Sequence, residues 1–222
     1  MRFYLILLPL FGILSLPLHL AAQTTTPSSI PGDHILWAGA QIRSNIGDKW
    51  SWQIQPIFRY NNNLGDYQNS SIDYSIRRKL SDRWHVQLLG RTWFMPDRRD
   101  RQFIWTDIAY KLPIPSLSLS MTNRLRYHLA LDVEGNFDAD FVRHIIQFVP
   151  TTNWKLKPTF GFETWYQFNG ENGVRRIRIE PGLRYAINKQ FGITTMWRRQ
   201  NDINKENQRR DNLWVAALVV KL

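Results

Sequence analysis

Arginine returns at every second residue in several stretches of this chain. Arg124 and Arg126, Arg176 and Arg178, and Arg77 beside Lys79 are the plainest cases; Arg43, Arg59, Arg91, Arg184 and Arg198 fall on the same parity of their own segments. The carboxylates noted on that parity are few: Asp73, Glu163 and Glu180. Guanidinium groups gathered on one wall favour anions, because each presents a planar fork of donors that stays charged. Rings of Arg or Lys are also how anion pores select. The plainer role for the same residues is filling, since a narrow barrel packs its interior with side chains and Arg–carboxylate pairs suit that purpose. With so few acids, several arginines are left to water. The residues expected to line such an interior are Arg59, Arg77, Arg91, Arg124, Arg126, Glu163, Arg176, Arg178, Glu180 and Arg184.

Other chemistry is sparse. Beyond residue 22 the histidines are His34, His85, His128 and His144, and no two have the spacing of a zinc site. His128 with Asp132 and Glu134 is the nearest approach to a base and its orienting acid, but a histidine beside acids in a loop is ordinary. Asp132, Glu134, Asp138 and Asp140 could attract a divalent cation, although their spacing is not that of an EF-hand. Neither a GxSxG elbow nor a Gly-rich phosphate loop occurs. The expectation is a protein that is not an enzyme, with no catalytic residue, cofactor or metal. Arg98-Arg99 and Arg209-Arg210 could hold lipopolysaccharide phosphates, or be solvated loop charge.

The elements that must position the arginines are strands. In Trp50-Ser-Trp-Gln-Ile-Gln-Pro-Ile-Phe-Arg-Tyr60 the even positions are apolar and the odd ones polar, save Ile57. Alternate side chains of a strand point to opposite faces, so the segment has one oily and one wet face. The same alternation predicts strands over 34–43, 50–60, 68–80, 84–95, 102–112, 116–129, 141–149, 157–168, 174–185, 191–200 and 212–222, the run 141–149 carrying it least clearly. Connections at 44–48, 81–83, 113–115 and 186–190 are short; those at 61–67, 96–101, 130–140, 169–173 and 201–211 are longer and polar. Pro56, Pro158 and Pro181 fall inside these strands and call for bulges or strand ends.

Residues 1–22 read as a signal peptide, with Arg2, an apolar run from Phe3 to Leu18 and Leu20-Ala21-Ala22 as the cleavage region. Residues 23–33 are a polar lead-in, and 34–222 form one barrel domain. The chain has no cysteine, which excludes disulfides and cysteine-based metal sites. Its formal net charge is +11, but export and the absence of a Lys/Arg block argue against nucleic acid.

Alternation alone fits a soluble barrel with an oily core as well as a membrane barrel with an oily coat. Three features favour the coat. Aromatics sit at the ends of the apolar rows, as interface girdles do: Trp50, Tyr60, Trp84, Phe94, Tyr110, Tyr127, Tyr185 and Trp197. The large apolar side chains would overfill an interior of this size. The last apolar row runs to Leu222, like a C-terminal signal for the barrel-assembly machinery. The predicted fold is an all-β, transmembrane, antiparallel up-and-down β-barrel of about 10–12 strands with short periplasmic turns and longer outer loops. Eleven strands would place the start of the first strand outside the cell. Either a twelfth strand lies in 23–33 or that lead-in threads the lumen.

Trp37-Ala-Gly39, Lys49-Trp-Ser51, Arg59-Tyr60, Arg124-Leu-Arg-Tyr127 and Trp197-Arg-Arg resemble the Gram-negative outer-membrane proteins of domain-of-unknown-function family 2490, over about 34–222. The resemblance implies an outer-membrane β-barrel with no established activity and no catalytic residues to carry over. The expected partners are outer-membrane lipid, including lipopolysaccharide, and the assembly machinery; the expected location is the outer membrane. The expected role is a small anion-permissive channel or a passive scaffold. The competing readings are a lipid- or peptide-modifying enzyme at the outer rim and a soluble secreted lipid binder.

Overall fold

The computed structural model describes residues 33–96, 100–131, 137–168, 173–203 and 210–222, with the backbone alone for 129–131 and 137–140. The strands are β1 (His34–Ile46), β2 (Trp50–Asn61), β3 (Asp66–Lys79), β4 (Trp84–Phe94), β5 (Arg101–Ile114), β6 (Leu119–Leu131), β7 (Phe137–Pro150), β8 (Leu156–Gln167), β9 (Gly173–Ala186), β10 (Phe191–Asp202) and β11 (Arg210–Lys221). They close into a single eleven-stranded barrel in sequence order. Every predicted strand is present. The run 141–149 is a full strand whose two faces are both mixed, with Phe141, Arg143 and Ile145 on one and Val142, His144 and Ile146 on the other. That mixture is why its alternation is faint.

Consecutive strands pair antiparallel, but the closing pair does not. β1 runs parallel to β11, from His34 opposite Asn212 to Arg43 opposite Lys221. An odd number of strands forces one parallel seam, so closure requires no twelfth strand. The lead-in 23–32 and the signal region lie outside the described residues. The strands also run further than alternation indicated. β5 continues to Ile114, and a 3-10 turn at Pro115–Leu117 takes Leu117 out of the strand to which its spacing assigned it. β2 and β3 absorb most of 61–67, leaving a turn at 62–65 no longer than the one at 80–83. The alternation of short and long connections is accordingly weaker than the sequence implied.

The prolines are accommodated without the expected bulges, except at a strand end. Pro56 lies mid-strand, yet β1 and β2 keep one register on either side of it, from Gly39↔Ile57 to Ile42↔Ile54. The ladder merely skips the positions opposite Pro56 and Gln55, where the missing N–H would have bonded. Pro181 interrupts the β9–β10 ladder in the same way, between Met196↔Gly182 and Arg199↔Ile179. Pro158, near the start of β8, pairs with Leu183 of β9 but precedes the first β7–β8 pair, Phe148↔Phe160. The register shifts lie elsewhere, at Arg59/Tyr60, Leu129/Leu131 and Trp165/Tyr166.

Gly39 faces this interruption at close quarters. A methyl group there would press on the backbone carbonyl of Pro56 and lie 3.3 Å from the Ile57 Cα. Both are backbone atoms, which cannot swing aside. Gly39→Ala is expected to destabilise the barrel by roughly 1–3 kcal/mol through overpacking. A lowered urea midpoint measured by tryptophan fluorescence, with the slope unchanged, checks this. On the outer face Tyr74 lies over Gly90, its register partner, so an aromatic ring covers the bare backbone.

The apolar rows form the outer surface. Ile54, Phe58, Ile72, Leu88, Ile108, Leu125, Phe160, Leu183, Ile193 and Leu218 are all exposed, between 40% and 50%. The aromatics predicted for the interface are on this outer face. Trp50, Trp84, Tyr110 and Tyr185 lie toward the connections at 47–49, 80–83 and 187–190, and Tyr60 and Phe94 toward the opposite rim. Tyr127 and Trp197 lie mid-strand, beyond the register partners of Tyr110 and Tyr185, Asn123 and Ile193. From Trp50 to Tyr60 and from Trp84 to Phe94 the wall rises by about 25 Å, at about 3.3 Å per residue and a tilt of about 40°, the height of an outer-membrane apolar band.

Candidate functional site in the barrel interior

The opposite parity of each strand points inward. All ten residues predicted to line the interior border one cavity of about 1090 Å³ that runs along the barrel. Fourteen lysines and arginines border it, against Asp73, Glu163, Glu180 and Asp211. Eleven strands lie between the eight that side chains just fill and the sixteen or more that leave a wide channel. The interior is accordingly part packed and part open.

The storey nearer the connections at 62–65, 95–100 and 203–209 is packed. Arg91 grips Asp73 with two bonds of 2.5 and 2.6 Å, and Arg126 grips Asp107 with two of 2.6 and 2.7 Å. Glu163 lies between Arg143 and Arg178, the latter at 3.3 Å. Arg178 also donates to the Gln200 carbonyl at 2.8 Å, and Arg59 to Asn69 and Ser71 at 2.7 and 3.0 Å. Arg176 meets Asp202 at 2.6 Å and Arg198 meets Glu180 at 2.5 Å. These groups are secluded: Glu163 is 1% exposed, Arg59 2% and Asp107 3%. A buried charge is tolerable when opposite charge is this near, and Arg59, which among the described residues bonds only the neutral Asn69 and Ser71, keeps its Nε unbonded.

Aromatic rings fill the gaps between the guanidinium groups. Trp165 carries Arg143, Arg176 and Arg178 over its ring at 4.2, 4.9 and 4.8 Å. Arg91 lies 4.9 Å from Trp105, and Arg59 lies 4.8 Å from Trp37 and 5.3 Å from Trp93. A desolvated cation over an indole gains about 2 kcal/mol. His128 stacks beside both Phe103 and Trp105, at 5.4 and 5.2 Å. A general base needs an orienting partner, and among the described residues neither ring nitrogen of His128 has a hydrogen-bond partner. Asp132 and Glu134 lie outside the described residues, as do Arg98, Arg99 and Arg209; Arg210 is exposed at the start of β11.

Toward the connections at 47–49, 151–155 and 187–190 the interior opens. Arg43, Arg77, Arg124, Lys157, Arg184 and Lys221 border the cavity there with His85, and all are half-buried or exposed. Among the described residues the inward carboxylates all belong to the packed storey. Arg124 has only a long contact of 3.6 Å to Asp107, and Arg77 bonds to Gln87, a neutral group, at 3.3 Å. The charge imbalance read from the sequence therefore falls almost wholly in this storey.

Two sets of interior residues escaped the sequence reading. Asp107 and Asp202 lie on the wet parity and neutralise arginines that were expected to go unpaired. The inward aromatics Trp37, Trp93, Phe103, Trp105, Phe141 and Trp165 also sit there, and their signal was local loss of alternation, as in Phe103-Ile104-Trp105. Among the described residues no cluster of His, Asp or Glu is placed to hold a metal ion. On the outer face His144 bonds to Asn123 at 2.8 Å, each satisfying the other.

No curated protein and no solved structure matches this chain. A family model does match, over residues 35–211, from the start of β1 to the start of β11. It covers nearly the whole wall of the barrel, and the family it describes is Protein of unknown function (DUF2490), to which this chain belongs.

Proposed function

We propose that the protein is an outer-membrane barrel that acts passively, as a scaffold with an anion-seeking interior, and not as an enzyme. The observation that carries this is the sorting of its two faces. A mainly apolar coat, interrupted by the Asn123–His144 pair and rich in aromatics, covers the outside, while the buried charges are inside. In water such a coat would be an aggregation surface many times the usual apolar patch; in lipid it is the favourable arrangement. The connections at 62–65, 95–100, 132–136, 168–172 and 203–209 then face outward from the cell, and the C-terminal end of β11 faces the periplasm. The packed storey narrows the interior toward one side. Anions therefore gather in the wider storey, and passage across the barrel is slow.

Two measurements test this. The protein from outer-membrane fractions is expected to migrate faster on a gel unheated than boiled, as a closed barrel does. In planar bilayers the intact barrel is expected to conduct weakly, with a reversal potential biased toward anions, and Arg124→Gln to reduce that bias. A monomer that stays in water without detergent would overturn the membrane reading. Cation-biased conductance would overturn the reading of the interior.

The anion-permissive channel is the second reading, favoured by the excess of lysine and arginine along the cavity. Large steady conductance in the intact protein would decide in its favour.

A further inference from the structure

Seven cations border the open storey, and among the described residues no inward carboxylate is dedicated to them. They are Arg43 on β1, Arg77 on β3, Arg124 on β6, Lys155 before β8, Lys157 on β8, Arg184 on β9 and Lys221 on β11. Arg43 and Lys221 are register partners on the closing strand pair and point into the same cavity as Arg77 and Arg184. Like charges gathered on one rigid wall repel one another, and the repulsion falls only when negative charge arrives. In the packed storey the same chain supplies carboxylates for this purpose; in the open storey the described residues supply none.

We infer that the open storey is a binding site for a compact soluble polyanion bearing several linked phosphate groups. Its shape limits the ligand. Eleven strands about 4.8 Å apart, tilted by about 40°, close at a backbone radius of about 11 Å. Inward-reaching arginines leave a space on the order of 10 Å across. A single phosphate reaches only some of the seven cations, whereas a short chain of phosphates spans the ring. Arginine engages phosphate oxygens in pairs and lysine engages them as a point charge, so the mixed ring suits phosphate. The packed storey narrows the cavity beneath the ligand, and entry is from the side of the 151–155 and 187–190 connections. The inference rests on the reading of the interior as anion-seeking; it does not require conduction.

The experiment is calorimetric titration of the full barrel, folded in nonionic detergent, with tripolyphosphate, orthophosphate and citrate. Tripolyphosphate is expected to bind saturably, at least tenfold tighter than either of the others, and to weaken steeply as salt rises. Arg43→Ala with Arg184→Ala is expected to lose at least tenfold in affinity. Arg78→Ala, whose guanidinium lies over Trp50 on the outer face, is expected to bind as the parent does. The heat-dependent gel shift is measured on each variant, so that only closed barrels are compared. Absence of saturable binding, equal binding by the double variant, or citrate binding as tight as tripolyphosphate would overturn the inference. Tight tripolyphosphate binding to a barrel that needs no detergent would support the site while removing the membrane reading.

Discussion

Arginine in place of Ile108 is expected to lower the stability of the barrel by about 2–4 kcal/mol when it is folded in phospholipid vesicles. Ile108 lies mid-strand on β5 and is 45% exposed on the outer face. In water such a position would tolerate a charge, since exposed substitutions away from special features change stability by about 0.5 kcal/mol or less. In the middle of a bilayer the guanidinium must give up its hydration. The companion variant is Leu80→Arg, at the rim beyond β3 and 54% exposed, which is expected to cost about 0–1 kcal/mol because headgroups and water are within reach. Urea unfolding followed by tryptophan fluorescence measures both. The contrast between the two carries the test. Equal, small effects would mean that the outer coat faces water, and the membrane reading would fall.

Removing Glu163 is expected to have an effect of similar size from the inside. Its carboxylate is shared by Arg143 and Arg178. Glu163→Gln leaves both guanidinium groups buried without a counter-charge, an arrangement that costs about 3–5 kcal/mol when one partner of a buried pair is lost. Trp165 softens the loss, because its ring still faces both cations. The triple variant Glu163→Leu, Arg143→Met, Arg178→Leu is expected to recover most of the stability, since an apolar set of similar volume carries no desolvation penalty. Recovery in the triple variant separates charge from packing. If Glu163→Gln unfolds at the same urea concentration as the parent, the packed storey is wet and the interior is more open than its burial indicates.

Strand positions were legible because a wall one residue thick, oily on one side and wet on the other, writes its period directly into the chain. The rows Ile72-Tyr74-Ile76 and Leu117-Leu119-Met121 were read that way, and the second overshot by one residue because Leu117 belongs to a turn fixed by Pro115. The division of the interior into storeys was not legible. It depends on the register between neighbouring strands, which sets Asp73 opposite Arg91, Asp107 opposite Arg126 and Glu163 opposite Arg178. Apolar residues on the wet parity were the one local hint. Trp105 and Trp165 break the alternation of their strands because they pack against arginines, and a reading that assigns oil to a single face passes over them. The prolines misled for a related reason: Pro56 and Pro181 each sacrifice one side of the ladder while the other side holds the register.

An odd strand count has a geometric corollary for how the wall is made. Hairpins come in twos, so five of them use ten strands and one strand must join alone. The join is made by β1 and β11 lying head to head, with slanted bonds that hold slightly less per residue than those of an antiparallel pair. The described wall therefore begins at one rim, with His34, and ends at the other, with Lys221. Labels placed beside His34 and beside Lys221 would report from opposite mouths of the barrel.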